Sequence, residues 1–175
     1  LLHPRALKLR VSEVIVETPS AKTLRMVSES GYLPPFEAGQ YVGLVVETAG
    51  VRTSRPYSIS SSPAQTAYYD LTIRRQQGGF VSDFLLDRVK AGDRFQASGP
   101  AGHFHHNPLI HGRDLVFIAG GSGVTPFMSM IREATDRGLD RAIHLVYGNR
   151  NESDIIFRDE LAGARSGMRD SPARM

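Results

Sequence analysis

The hydrophobic pattern changes period near Gly112, and that change restricts the available folds more than any other feature. Before it, apolar and polar residues alternate in short runs; after it, residues 114–119 (DLVFIA) are almost continuously apolar. Alternation marks strands with one face in a core and one in solvent, whereas a continuous run marks a strand covered on both faces. The run leads straight into Gly120-Gly121-Ser122-Gly123-Val124-Thr125-Pro126. Val124, Phe127, Met128 and Ile131 then recur at helical spacing, ending by Gly138. A second apolar run, residues 142–147, reads as another buried strand. Strand, glycine turn, helix and strand are the opening of a parallel α/β sheet with a right-handed crossover. A further helix is expected to begin within residues 155–164, with 165–175 polar and irregular.

Upstream, residues 7–17, 23–28, 40–47, 51–59, 68–75 and 93–97 each read as a short strand. Turns such as Thr18-Pro19-Ser20 and Thr48-Ala49-Gly50 separate them. Short strands at this spacing predict a six-stranded antiparallel Greek-key barrel. One helix interrupts them: Phe80, Phe84, Leu85 and Val89 recur at helical spacing, with Gly92 just past the end. The expected division is a barrel over residues 1–111 and the first part of an α/β domain over 112–175.

Composition narrows the chemistry. The chain has no cysteine, which excludes a disulfide framework, a cysteine nucleophile and an iron–sulfur cluster ligated by its own cysteines. Lys plus Arg, 21 residues, outnumber the 18 Asp plus Glu only slightly and are scattered. That suits binding of small anions better than wrapping of nucleic acid. No apolar run reaches the roughly 18 residues of a membrane span. No signal-peptide pattern is present, so a cytoplasmic setting is expected. Leu1 in place of Met suggests a chain cut from a longer one.

Three stretches carry candidate chemistry. In Arg55-Pro56-Tyr57-Ser58, an extended strand would put Arg55, Tyr57 and Ile59 on one face. That face offers a fixed cation for a phosphate and a flat ring for stacking, with Ser58 as a neutral hydrogen-bond partner. An ordinary strand end entering a Ser/Pro turn is the alternative. Gly78-Gly79 lead into a helix through Phe80, Val81 and Ser82, where backbone N–H groups can face an anion. A plain glycine turn is the alternative there. Gly121-x-Gly123 permits close approach of a pyrophosphate, while Pro126 replaces the third glycine of the usual fingerprint and suits an early helical position. No lysine follows, which excludes a nucleoside triphosphate P-loop; a tight strand-to-helix turn remains the alternative. His103, His105, His106 and His111 are irregularly spaced without an acidic neighbour, so no metal site is read there. Asp154, Asp159 and Glu160 read as a helix start and a solvated face.

The succession of these stretches, with Phe36-x-Ala38-Gly39-Gln40-Tyr41 before them and Gly99-Pro100-x-Gly102-x-Phe104 among them, resembles the ferredoxin–NADP reductase superfamily. The likeness is strongest to its bacterial oxygenase-reductase-like and flavodoxin-reductase-like members, and runs from about Val11 to Leu161. The resemblance implies a flavin-binding barrel holding FAD and an α/β part holding NADPH or NADH. Together they would pass electrons to a carrier such as a ferredoxin, a flavodoxin or the iron–sulfur centre of an oxygenase component. Arg55 would pair with a flavin phosphate, Pro56 and Tyr57 would lie against the flavin, and Ser58 would hydrogen-bond near the reacting N5 as the catalytic residue. Thr72, Ile73 and Arg74 would face the ribityl and pyrophosphate region. Gly78, Gly79, Phe80, Val81 and Ser82 would hold the pyrophosphate. Gly121, Gly123, Thr125, Pro126 and Arg150 would contact the nicotinamide nucleotide.

The same resemblance implies a longer nicotinamide domain than this chain contains. A sheet stopped after about two βα units exposes an apolar face and edge, so impaired dinucleotide binding and turnover are expected. Two other readings stay open. One is a flavin-binding module without turnover. The other is a barrel for single-stranded nucleic acid, which the scattered aromatic and basic residues disfavour.

Overall fold

The computed structural model describes residues 6–167; the irregular tail expected from the sequence lies, from 168 on, outside them. Six strands, β1 Leu7–Thr18, β2 Ala21–Ser28, β3 Tyr41–Thr48, β4 Val51–Ser58, β5 Tyr69–Arg74 and β6 Arg94–Ala97, form one antiparallel sheet in the order β4-β3-β6-β1-β2-β5. β6 is the last of these in sequence yet sits between β1 and β3, the Greek-key return that the spacing predicts. Alternation decides which side chains enter the barrel: Leu7, Leu9 and Val11 are buried while Lys8 and Arg10 face solvent. A register shift between Val11 and Glu13 resets the alternation, after which Val14 packs against the core while Val16, nearer the strand end, stays exposed.

The sheet curls until its two end strands meet at a single bridge, Ile59 to Leu71, with Ser60 N donating to Asp70 O at 2.8 Å. The interior is filled by Leu9, Leu24, Val42, Leu44 and Leu71. The helix α1, Phe80–Asp87, adds Val81, Leu85 and Leu86 to that core.

The second part contains β7 Asp114–Gly120, a glycine 3-10 turn at Gly121–Val124, α2 Thr125–Asp136, β8 Ala142–Gly148 and α3 Arg158–Gly167. β7 and β8 pair in parallel from Asp114 beside Ala142 to Gly120 beside Gly148. α2 covers one face of this pair through Met128, Met130 and Ile131. The expectation of strands buried on both faces is corrected here. Burial alternates along β7 and β8, and Val116, Ile118 and Val146 remain 67%, 74% and 60% exposed. Among the described residues nothing lies over that outer face. The last helix begins inside the expected stretch and runs on to Gly167, past residue 165 where the sequence reads as irregular. Ile156 and Phe157 precede it as a buried plug beside Ala21, Val124 and Met128, with Phe157 held at φ 61°.

Candidate functional site

A slot opens where the barrel fails to close. Apart from the Ile59–Leu71 bridge, the facing edges of β4 and β5 form no ladder. β4 presents Arg55, Pro56, Tyr57 and Ser58 on one side, its other edge being paired with β3. β5 presents Thr72, Ile73 and Arg74, paired on their far edge with Thr23, Lys22 and Ala21. Unpaired strand edges leave backbone N–H and C=O groups open to a ligand.

The side chains around this slot differ in availability. Arg55 is exposed, has no carboxylate partner among the described residues, and donates to Thr53 Oγ1 at 2.6 Å and Ser54 O at 2.9 Å. Tyr57 is half-buried against the core; burial pushes its hydroxyl above the ordinary value, so it stays a neutral donor. The Ser58 hydroxyl is half-buried and makes no hydrogen bond among the described residues. Ile59 turns wholly into the core, so the face expected to carry Arg55, Tyr57 and Ile59 ends at Tyr57. The Thr72 hydroxyl is buried between Thr23 Oγ1 at 2.8 Å and Ser60 Oγ at 3.0 Å, and Ile73 is a core residue. Both can offer a ligand only their backbone.

At the mouth of α1 the glycines have steric reasons. Gly78 sits at φ 68°, and a Cβ at Gly79 would collide with Ser82 Oγ and Gln76 O. The Ser82 hydroxyl accepts from Gln76 N at 3.1 Å and donates to Gly79 O at 3.1 Å. It therefore shapes the turn, while the first-turn amides of Phe80, Val81 and Ser82 are the groups a helix leaves without an internal carbonyl.

The second half of the site is a cleft of about 820 Å³ between barrel and α/β part, lined by Ser20, Arg74, Gly121, Ser122, Asn149 and Arg150 among others. Gly121 has φ 51°, and a Cβ there would strike Arg74 Nη1, so the guanidinium lies directly on the glycine turn. Thr125 Oγ1 donates to Ser122 O at 3.0 Å and Tyr147 Oη donates to Gly121 O at 2.8 Å, fixing the turn from both ends. Pro126 occupies the first helical turn of α2 and Gly123 is exposed. Arg150 is exposed and makes no ion pair among the described residues. Asn149 Nδ2 and Oδ1 are buried; the amide lies beside the Tyr147 hydroxyl but makes no hydrogen bond of regular geometry among the described residues, as suits a site built for a polar ligand.

Sequence reasoning missed Asp154. It is no free helix start: it pairs with Arg74 and accepts from Ser20 Oγ at 2.5 Å and Thr18 Oγ1 at 3.3 Å. The Ser20 hydroxyl, with Arg74 and Thr18 adding to it, holds the Asp154 carboxyl below its usual value. Glu160 is likewise engaged, with Arg132. Neither partnership has a local signal, since the partners are 80 and 28 residues apart. Among the described residues no three His, Cys, Asp or Glu converge in a way that could hold a metal ion.

A family model described as an oxidoreductase FAD-binding domain matches residues 8–106, and one described as an oxidoreductase NAD-binding domain matches residues 117–173. The chain is similar to ferredoxin–NADP reductase B of Sorangium cellulosum (strain So ce56), with 35% identity over 167 residues, covering 95% of this chain and 68% of that protein. It is also similar to the glycine betaine monooxygenase reductase subunit of Pseudomonas aeruginosa (strain UCBPP-PA14), with 37% identity over 154 residues, 87% of this chain and 42% of that protein. In fold it matches the flavohem-like FAD/NAD-binding domain of nitric oxide dioxygenase from Vibrio cholerae O1 biovar El Tor, with TM-score 0.86, 24% identity, 94% of this chain and 71% of that chain. The chain thus spans about two thirds of the first relative's length and under half of the second's.

Proposed function

Since the chain belongs to the family of oxidoreductases that join an FAD-binding domain to an NAD-binding domain, we propose that it carries electrons from NADH or NADPH through FAD to a one-electron carrier protein. One observation carries the reading: Arg74, at the end of the β5 wall of the slot, lies directly on the glycine turn, in a cleft lined also by Ser122, Asn149 and Arg150. The division proposed is a flavin-binding barrel over residues 1–111 and part of a nicotinamide-nucleotide domain over 112–175.

The residues present fit both cofactors. Among the described residues Arg55 has no carboxylate partner and the Ser58 hydroxyl makes no hydrogen bond, and the α1 amides suit an anion. Arg55 and the amides of Phe80, Val81 and Ser82 would hold the FAD phosphates. Tyr57 and Pro56 would cover the ring, and Ser58 would donate to or accept from its reacting edge. The backbone of Thr72, Ile73 and Arg74 would line the opposite wall. Gly121, Gly123, Thr125, Arg150 and the buried amide of Asn149 would receive the nicotinamide nucleotide. When bound, FAD accepts an electron pair from a reduced nicotinamide and releases electrons singly to an acceptor. The protein's part is to orient the two rings and exclude water. The names of the relatives, a ferredoxin reductase and a monooxygenase reductase subunit, support a ferredoxin, flavodoxin or oxygenase component as the acceptor. No helix among the described residues is long and apolar enough to cross a membrane. The cytoplasm, where reduced nicotinamide nucleotides are supplied, is the proposed setting.

A second reading has its own observation. The open apolar face at Val116, Ile118 and Val146 favours a chain that binds flavin but turns over poorly. Titration with FAD followed by anaerobic mixing with NADH or NADPH separates the two. Uptake of yellow colour with bleaching at an enzymatic rate supports electron transfer, colour with slow or no bleaching supports the flavin-binding chain of poor turnover, and no colour removes both.

A further inference from the structure

We propose that Ser129 and Arg132 of α2 are positioning residues that clamp the nicotinamide end of the site to the flavin end. The inference rests on the functional reading above and adds to it the device that sets the distance between the two half-sites.

The clamp begins at the glycine turn. α2 starts at Thr125, immediately after Gly121–Val124, so the turn moves with the helix as one rigid piece. Ser129 and Arg132 are three residues apart and therefore lie on one face of α2. Ser129 is fully buried, and its Oγ donates to Ser61 O at 2.7 Å. Arg132 Nη1 donates to Ser60 O at 2.7 Å. The two carbonyls belong to the segment that continues from β4 directly after Ser58 and Ile59. That segment is held from its other side as well. Ser60 N donates to Asp70 O at 2.8 Å, and Ser60 Oγ shares a hydrogen bond with Thr72 Oγ1 at 3.0 Å. β5, which forms the opposite wall of the slot, is thereby tied through the same two residues to α2.

Arg132 is itself fixed on three sides. Its Nε and Nη2 bind the two Glu160 oxygens at 2.8 and 2.6 Å, and its guanidinium lies over the Phe157 ring at 4.8 Å. Phe157 takes a left-handed backbone conformation, unusual for a bulky residue, and is buried under that guanidinium. Only the planar fork of arginine can satisfy a bidentate carboxylate on one edge and a carbonyl on the other. Lysine retains the charge but not this geometry. A short path, along the chain from Ser58 to Ser60, across the Arg132–Ser60 hydrogen bond and back along α2 from Arg132 to Thr125, therefore links the group proposed to face the flavin to the group proposed to face the nicotinamide.

The test compares Ser129→Ala and Arg132→Lys with the unaltered chain. Without cofactors, amide hydrogen exchange over residues 58–62 should quicken by at least about fivefold in both variants, with β1 and β2 unchanged, since a local opening has been freed. With FAD and saturating NADH, flavin reduction should slow by roughly ten- to a hundredfold while the KM for NADH and the FAD Kd stay within about twofold, because misalignment costs rate without costing contacts. Unchanged exchange in both variants overturns the proposal. So does a slower reduction accompanied by an equal loss of FAD affinity, the mark of general disruption. If the unaltered chain takes up no FAD, the functional reading fails, and the exchange result alone decides whether the clamp exists.

Discussion

Strands β5 and β7 teach opposite lessons about reading burial from sequence. β5, YDLTIR, contains an aspartate, a threonine and an arginine, yet five of its six residues are buried. β7, DLVFIAG, is apolar almost throughout, yet only Phe117 and Ala119 are buried. The difference lies in what covers each face. The outward residues of β5 are covered and satisfied: Asp70 receives two hydrogen bonds from Arg25 at 2.9 and 3.0 Å, and Thr72 joins the hydroxyls of Thr23 and Ser60. Polar groups buried with partners cost little, so the barrel tolerates them. The outer face of β7 carries Val116 and Ile118 with no described element above them. Its composition matches a covered sheet that the described residues do not complete.

The largest effect should come from cutting the core on the closed side and sparing the open one. Leu24→Ala, at a residue with no exposure in the barrel, should cost about 2–5 kcal/mol in chemical denaturation. Val146→Thr, on the open face, should stay within about 0.5 kcal/mol. If Val146→Thr proves as costly as Leu24→Ala, the outer face is covered in solution and the comparison between the strands is wrong.

A smaller effect should separate the cofactor half-sites. Arg55→Ala removes a cation that makes no ion pair among the described residues, so the fold should be indifferent to it. FAD affinity should fall by about 1.5–3 kcal/mol, the range for a hydrogen bond to a charged group, or roughly ten- to a hundredfold. Fluorescence titration reads this directly. Unchanged affinity would place the phosphate elsewhere.

These outcomes bear on how much the sequence could say. The barrel strands were legible because turn residues and alternation are local, and the glycine turn was legible because its strand and helix are its immediate neighbours. Slot and cleft residues were nameable by resemblance, but their availability was not. Whether Ser82 or Thr72 keeps its hydroxyl free depends on Gln76, Gly79, Thr23 and Ser60, which only the folded chain brings near. Asp154 and Arg132 were illegible for the same reason, as each acts on a partner across the junction.

The smallest expected effect concerns that junction and depends on pH. Asp154 links the α/β part to Arg74, Ser20 and Thr18 of the barrel, and its carboxyl is held below 3.8, chiefly by the Ser20 hydroxyl. A carboxyl depressed in the fold contributes its full stabilisation above 3.8 and loses it as pH falls through the folded value. Solvent from the cleft screens the link, so the contribution should be below about 1 kcal/mol. Glu17 works in the opposite sense: burial raises its carboxyl above 4.5, so the fold gains stability as pH falls from that raised value towards 4.5. The two windows do not overlap, and each can be assigned by its own variant. Asp154→Asn should be slightly less stable than the parent above 3.8, with the difference closing below it. Hydrogen exchange in β7 and β8 should quicken in this variant before any barrel strand responds, because the barrel keeps its own closed core. A difference that persists undiminished into strong acid would mean that Asp154 acts by shape and not by charge.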